Sequence, residues 1–551
     1  MEAFNRSTRG PWPLLDVLEP GSSLIFTIAI GTALALLSYV VWVGIYRLYF
    51  SPLARFPGPR LAALTGLYEA YYDLIPKGGG QFPFAIKRMH DKYGPIVRIN
   101  PDELHIDDPD FYDTLYPTSK PYDKLQRLEN RFGIPGATFS TARHEVHKVR
   151  RAAISPFFAK SKVREQTRDI QALMDTISRR LAAEYAGTGR VLNLHDVWRC
   201  FAADNIMDLV FGSPLDLHLS PDFRAPFTGA ITRVTNWSHV TRYLPILGAA
   251  TDSLPYWLSK RLFPPFEPII AYREIKLTDL DRLKQEMSRQ TATIRASHQA
   301  TGGAEEKPRM GQTGHATVFH EMLASNLPRE ELSHKRMQHE AESLIGAGLE
   351  TTAWTLALGS FYILHDPQVY ARLQTELTAA IPDAANIPPW ATLETLPYLT
   401  AVVKETLRMG MGVIERLVRI NRNPASPWIY NDSVVIPANT AVSMDQYHML
   451  MNERVFPDPT AFRPERWLDD PRGPDGVRPL THYLTVFGRG TRMCLGLNLA
   501  YSELYIGFAT LVRRHKLRLV GTSVRDVAFY AENTILSPWP GTKGIRVLVD
   551  S

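Results

Sequence analysis

The chain has 551 residues, of which 45% are hydrophobic and 21% charged, so it holds the material for a large core. A net charge of +6 spread without Lys/Arg blocks argues against a nucleic-acid partner and fits a protein lying on an anionic membrane or docking an acidic partner. Two cysteines, Cys200 and Cys494, cannot build a disulfide framework, which places the bulk of the chain in a reducing compartment.

In chain order, residues 1–22 read as a short polar tail on the lumenal side, and residues 23–46 as a membrane anchor. No charged residue occurs from Pro20 to Tyr46, and Leu24–Tyr46 is long enough to cross a bilayer as a helix. Tyr39, Trp42 and Tyr46 fall towards one end, where interfacial aromatics belong, and Arg47, Arg55 and Arg60 follow on the cytosolic side. The bulky end of the segment argues against a cleaved signal peptide. Residues 47–60, with Ser51-Pro52 and Phe56-Pro57-Gly58-Pro59, form a stiff link that cannot continue a helix, and 61–551 is one globular domain. Strand-like runs occur at Ile96–Ile99 and Leu104–Ile106. His147-Lys148-Val149-Arg150-Arg151 is a basic helix face, and Cys200 sits in the apolar run Asp196–Phe211 as a core residue. Residues 160–296 read as mostly helical, with an apolar patch around Trp237, Tyr243, Leu244, Pro245, Trp257 and Leu258; residues 298–316 read as a polar, Gly-rich loop.

A helix is expected over about Leu332–Leu364. Between Ser343 and Leu364 its only charged side chain is Glu350, beside Thr351 and Thr352, and the small residues and lone acid favour a core helix over a second membrane span. Glu405 and Arg408 stand three residues apart on one helix face, followed by Phe462-Arg463-Pro464-Glu465-Arg466-Trp467. Ile436–Thr440 and Met444–Met449 read as strand and turn. Last comes Phe487-Gly488-Arg489-Gly490-Thr491-Arg492-Met493-Cys494-Leu495-Gly496: a cysteine among glycines and arginines, ahead of an apolar helical run from Leu495 to Val512. A thiolate is an electron-donating ligand for haem iron, the glycines permit a turn and close approach to a flat macrocycle, and the helix start favours the anion.

These stretches resemble the cytochrome P-450 superfamily. Phe487, Gly490, Arg492, Cys494 and Gly496 match F-x-x-G-x-R-x-C-x-G, Ala347-Gly348-Leu349-Glu350-Thr351-Thr352 matches A/G-G-x-D/E-T-T, and Glu405/Arg408 with Arg466 match E-x-x-R and F-x-P-E-R-F/W. The motifs keep the family's order from residue 52 to residue 515, and Ile134–Phe158 with the Pro-Gly-Pro start is most similar to fungal members of secondary metabolism. The resemblance implies a mainly α fold with small β-sheets behind one transmembrane helix, a proline hinge setting the domain's angle on the membrane, and haem held by Cys494 as axial ligand. Phe487, Gly488 and Arg492 belong to that haem loop; Arg419, Arg151 and His147 are candidate propionate partners, with His147 standing where the family's W-x-x-x-R has tryptophan. Glu350 and Thr351 are the candidate proton-delivery pair, Glu405, Arg408 and Arg466 a buried structural triad, and Leu344, Ala347, Gly348, Val413 and Ile414 the pocket lining. Glu415 is the one nearby acid that could instead recognise a basic nitrogen.

The function implied is oxidation of a small hydrophobic substrate, a terpenoid or polyketide intermediate, with dioxygen and electrons from NADPH through a cytochrome P-450 reductase. The enzyme is expected as a single-pass protein of the endoplasmic reticulum with its catalytic domain cytosolic. Two alternatives stand beside it: a haem-thiolate isomerase or dehydratase needing no reductase, which tends to lack the acid–threonine pair kept here, and a non-enzymatic membrane-tethered haem sensor or carrier.

Overall fold

The computed structural model describes residues 20–212, 214–224 and 317–551, with isolated positions between 239 and 296. Residues 1–19 of the polar tail, Trp237, Leu244, Pro245 and the loop 298–316 therefore lie outside the described residues, while residues 20–22, expected in that tail, begin the first helix.

Helix α1 (Pro20–Ile45) runs on through one wider turn, Tyr46–Phe50, before Ser51-Pro52 stops it. None of the Phe26–Phe50 segment is buried against protein, and it is long and apolar enough to cross a membrane. The helix ends four residues beyond the expected boundary at 46, because the apolar run resumes past Arg47 with Leu48-Tyr49-Phe50. Arg47 turns back to the domain: its guanidinium donates to the Leu64 carbonyl (2.6 Å), while Arg98 donates to the carbonyl of Arg47 (2.8 Å).

A four-stranded sheet follows in the order β1 (Ile96–Asn100), β2 (Glu103–Ile106), β4 (Ala441–Ser443), β3 (Arg419–Ile420). β1 pairs antiparallel with β2 (Ile96 opposite Ile106), β2 parallel with β4 (Leu104 opposite Val442), and β4 antiparallel with β3 (Val442 opposite Arg419). The parallel pairing brings two segments more than three hundred residues apart to one sheet, delivering Arg419 to the interior. The stretch Met444–Met449, expected as strand and turn, is mostly a short helix, Gln446–Leu450, because Asp445 caps it by accepting from the His448 N–H.

The remaining frame is helical: α2 (His144–Ile154), α3 (Lys160–Glu184), α4 (Leu194–Phe211), α5 (His334–His365), α6 (Pro397–Gly410) and α7 (Leu497–Arg514). α5 is the central helix and packs on α4, α6 and α7. Close approach needs residues without side chains at the crossings: a Cβ on Gly359 would stand 2.4 Å from Phe508 of α7, and one on Gly348 2.8 Å from Ile206 of α4. Cys200 on α4 is fully buried, as expected of a core residue, and donates to the Phe223 carbonyl.

Candidate active site

α5 carries an accessible stripe inside the protein. Ala347 is exposed and Ser343, Gly346 and Thr351 are half-buried, although Ile345, Leu349 and Ala353 around them are buried. The spacing 343, 347, 351 is one helix face. The Thr351 hydroxyl donates to the Ala347 carbonyl (2.7 Å), and Thr355 does the same to Thr351 (2.8 Å), so two successive turns are back-bonded at this stripe.

Glu350 points the other way, into α4. Arg199 grips it with two hydrogen bonds, 2.9 and 2.6 Å, and His195 lies 3.2 Å from the same carboxylate. Burial pushes the Glu350 carboxyl up, but the charge of Arg199 and the contacts of His195 outweigh it and bring the pKa to about 2. Held this way, Glu350 is an ionised acceptor on the α4 side of α5. The acid that holds a proton at neutral pH is Glu503 on α7: burial raises it to about 8, against hydrogen bonds from Asn205 (3.1 Å) and the Thr352 side chain. The motif thus meets Arg199 and His195 through Glu350 and Glu503 through Thr352.

The cysteine loop is closed by Cys494 N–H donating to the Phe487 carbonyl (2.8 Å). Gly488 (φ +67°) and Gly490 (φ +70°) sit in the left-handed region, and a Cβ on Gly490 would meet the Pro117 carbonyl at 2.4 Å. Gly496 has φ −82° and needs no such freedom; it lies immediately before α7, and its N–H is directed at the Cys494 sulfur. The Phe487 ring packs on Tyr501 of α7. The sulfur is accessible, yet protein encloses it enough that burial raises the thiol, opposed by the Gly496 N–H and by Arg151.

Around this loop the structure collects cations, with Asp123 and Glu129 near Arg492 but already bonded to the His144 and Ala142 N–H groups. Arg492 donates to the carbonyls of Thr141 (2.5 Å) and Ala142 (2.8 Å), and its Nε is buried with no partner. Burial and the neighbouring charge of Arg419 bring Arg492 down to about 9, with Arg151 adding to the effect. Arg419 is buried, lies 5.0 Å from the Tyr116 ring and donates to the Val418 carbonyl. His147 is buried with Nδ1 unpartnered, and burial with Arg492, Lys124 and Arg151 brings it to about 2, so it is neutral. Among the described residues no carboxylate lies within ion-pair range of Arg151, Arg419 or Arg492. A group bearing two carboxylates and an atom that takes a thiolate fits this arrangement; haem is such a group.

The Glu405–Arg408–Arg466 set is brought together in full. Arg408 donates twice to Glu405 (3.0 and 2.8 Å), Arg466 once (3.0 Å), and the Trp467 indole N–H once (2.9 Å). Arg408 also reaches the carbonyls of Leu450, Pro459 and Ala461, tying α6 to the segment before the cysteine loop.

Two expected pocket residues, Gly348 and Ile414, take other places, and so does Glu415. Gly348 faces Ile206 of α4, so its smallness serves helix packing. Ile414 is fully buried, its N–H bonded to the Thr534 carbonyl, while Val413 beside it is half-buried and bridges Ile535. Glu415 is not free for a basic ligand: Arg131 pairs with it, Arg242 lies 4.0 Å away, and against burial these cations hold the carboxyl below its usual range. Leu344 is buried at the edge of the stripe. Of the proposed apolar patch, Trp257 is exposed, but Tyr243 donates inward to Glu69 and Asp73. Arg199, His195, Glu503 and Lys124 were missed by sequence reasoning; the first three lie far along the chain from their partners, and only the apolar surroundings of Glu503 on an otherwise uncharged helix stretch gave a signal.

The comparisons agree with this geometry. The family profile described as Cytochrome P450 matches residues 71–538. The chain is 39% identical to the cytochrome P450 monooxygenase sdnE of Sordaria araneosa, over 96% of this chain and 98% of that protein. It is 38% identical to the cytochrome P450 monooxygenase orf4 of Eupenicillium brefeldianum (93% and 96%) and 35% identical to the tryptophan 6-hydroxylase fscE of Fusarium equiseti (96% and 98%). A family match along most of its length and relatives of up to 39% identity place this chain in the cytochrome P450 family, among fungal haem monooxygenases of secondary metabolism.

Proposed function

We propose that the protein hydroxylates a compact, weakly polar substrate, a terpenoid or polyketide intermediate, using electrons passed from NADPH by a separate flavin reductase. In this reading it is anchored in the endoplasmic reticulum membrane with its domain in the cytosol. The observation that carries it is the pairing of an accessible Cys494 with a buried Arg419 and half-buried Arg151 and Arg492, none of which has a carboxylate within ion-pair range among the described residues. Bound there, haem supplies dioxygen activation and C–H oxidation, with Cys494 as the iron ligand.

The chain's own residues do the rest. Arg151, Arg419, Arg492 and neutral His147 hold the propionates and fix the ring's orientation. The Gly496 N–H tempers the charge on the sulfur. Ala347 and Gly346 leave the α5 face open, since a Cβ on Gly346 would meet nothing within 4 Å. The Thr351 hydroxyl, which rests on the Ala347 carbonyl, would be the donor on the open face of α5. Glu503 stores the proton, whereas Glu350, fixed by Arg199, orders α4 against α5 and offers an acceptor. Leu344, Ala347 and Val413 give an apolar lining that selects by shape, at about 1–3 kcal/mol per methylene. With Glu415 already paired, a basic nitrogen finds no carboxylate there.

Thr351→Ala tests the reading: haem and substrate binding persist, but product formed per NADPH consumed falls and peroxide rises. An unchanged ratio removes Thr351 from proton delivery.

A further inference from the structure

Lys124 lies where three distant segments meet around the cysteine loop. Its neighbour Asp123 forms a two-way backbone bridge with Ile420 (3.1 and 2.9 Å), which lays this segment beside the strand carrying Arg419. Its own N–H donates to the Ala142 carbonyl (2.9 Å), the same oxygen that accepts from Arg492 (2.8 Å). The backbone of Lys124 is therefore fixed to the supports of both arginines.

The ammonium end is short of partners. One N–H goes to the Phe139 carbonyl (2.7 Å), and the nitrogen stands 4.1 Å from the Phe139 ring centroid. A lysine has three such donors, so two remain. Burial and the charges of Arg492, Arg419 and Arg151 drive its pKa well down; the one acid opposing them is Glu415, which Arg131 already holds. A half-buried cation beside three others gains from a ligand that supplies an anion.

His147 sharpens the point. As a neutral imidazole it brings a single N–H where the W-x-x-x-R pattern has an indole, and it adds no charge. We propose that Lys124 is a further anchor for the haem carboxylates, donating to a propionate alongside Arg151, Arg419 and Arg492. This rests on the haem-thiolate reading above.

The test uses the full-length holoenzyme and three variants. Lys124→Gln keeps a donor for the Phe139 carbonyl but carries no charge, Lys124→Arg keeps the charge, and Lys120→Met removes an exposed lysine of the same loop. Two readouts serve: the rate of haem transfer to excess apomyoglobin and the equilibrium reduction potential of the bound haem. Lys124→Gln is expected to release haem roughly tenfold faster, as for loss of one charge-assisted hydrogen bond, and to shift the potential to more negative values. Lys124→Arg restores both, and Lys120→Met matches wild type. Wild-type release and potential in Lys124→Gln overturn the proposal, as does lower thermal stability with the potential unmoved, which would leave Lys124 only its bond to Phe139. Failure of the underlying reading looks different: wild-type protein itself would then lack a thiolate-ligated haem spectrum.

Discussion

Two buried clusters of arginine in this molecule differ in one respect. In the Glu405–Arg408–Arg466 cluster every charge has its partner: Glu405 accepts from both arginines, from Trp467 and from the Arg463 N–H, and Arg408 spends its other donors on three carbonyls. Around Cys494, Arg151, Arg419 and Arg492 are enclosed to a similar degree but meet carbonyls, an aromatic ring and each other. The first cluster is complete without a ligand and ties the fold together; the second is stable only with an anion brought from outside. Buried charge alone marks neither structure nor function; the balance of charge separates the two.

The largest expected effect comes from breaking the balanced cluster. Glu405→Ala leaves Arg408 and Arg466 buried and unpaired, a loss of about 3–5 kcal/mol, so the variant yields little folded holoprotein, read as soluble haem-containing protein on expression. Normal yield and melting temperature would show that the set is not what holds α6 to the segment before the loop.

Breaking the unbalanced cluster acts on the ligand instead. Arg492→Met is expected to fold, because no carboxylate is left unpaired, but to lose haem about tenfold faster, the value of one hydrogen bond to a charged group. Apoprotein stability equal to or above that of wild type, together with faster haem loss, is the signature; equal losses in both would make Arg492 a structural residue like Arg408.

Much of this was legible in the sequence, because motifs record groups close along the chain. Phe487 to Gly496 fixes the loop, and Glu350-Thr351-Thr352 on an otherwise uncharged stretch fixes α5, observed over His334–His365 against an expected Leu332–Leu364. Glu405 and Arg408 share one helix turn. What could not be read depends on pairing across the fold. Glu350 looks like a proton donor until Arg199, about one hundred and fifty residues earlier, is seen to neutralise it. Glu415 looks free until Arg131 is placed against it, and Gly348 looks like a ligand contact until Ile206 is found there. Glu503 stands out locally as the one charge in Leu495–Val512, but its contact with Asn205 on α4 is visible only in the fold.

A smaller effect follows from Glu503. Its folded pKa of about 8 lies above the unfolded carboxyl range, so its contribution is fully present below the unfolded value and is lost as pH rises through about 8. Glu503→Gln is therefore expected to flatten the fall in stability between about pH 5 and pH 8. Denaturant midpoints of both proteins across that range decide it: parallel curves would mean that Glu503 is already ionised in the folded protein.

The central claim, that Cys494 is the thiolate that holds haem in this chain, is tested most directly by the spectrum of the reduced, carbon-monoxide-bound protein. Wild type and Cys200→Ser are expected to show the red-shifted Soret band of thiolate ligation and Cys494→Ser to lack it. A red-shifted band that survives Cys494→Ser, or its absence from wild-type protein with haem bound, would contradict the account.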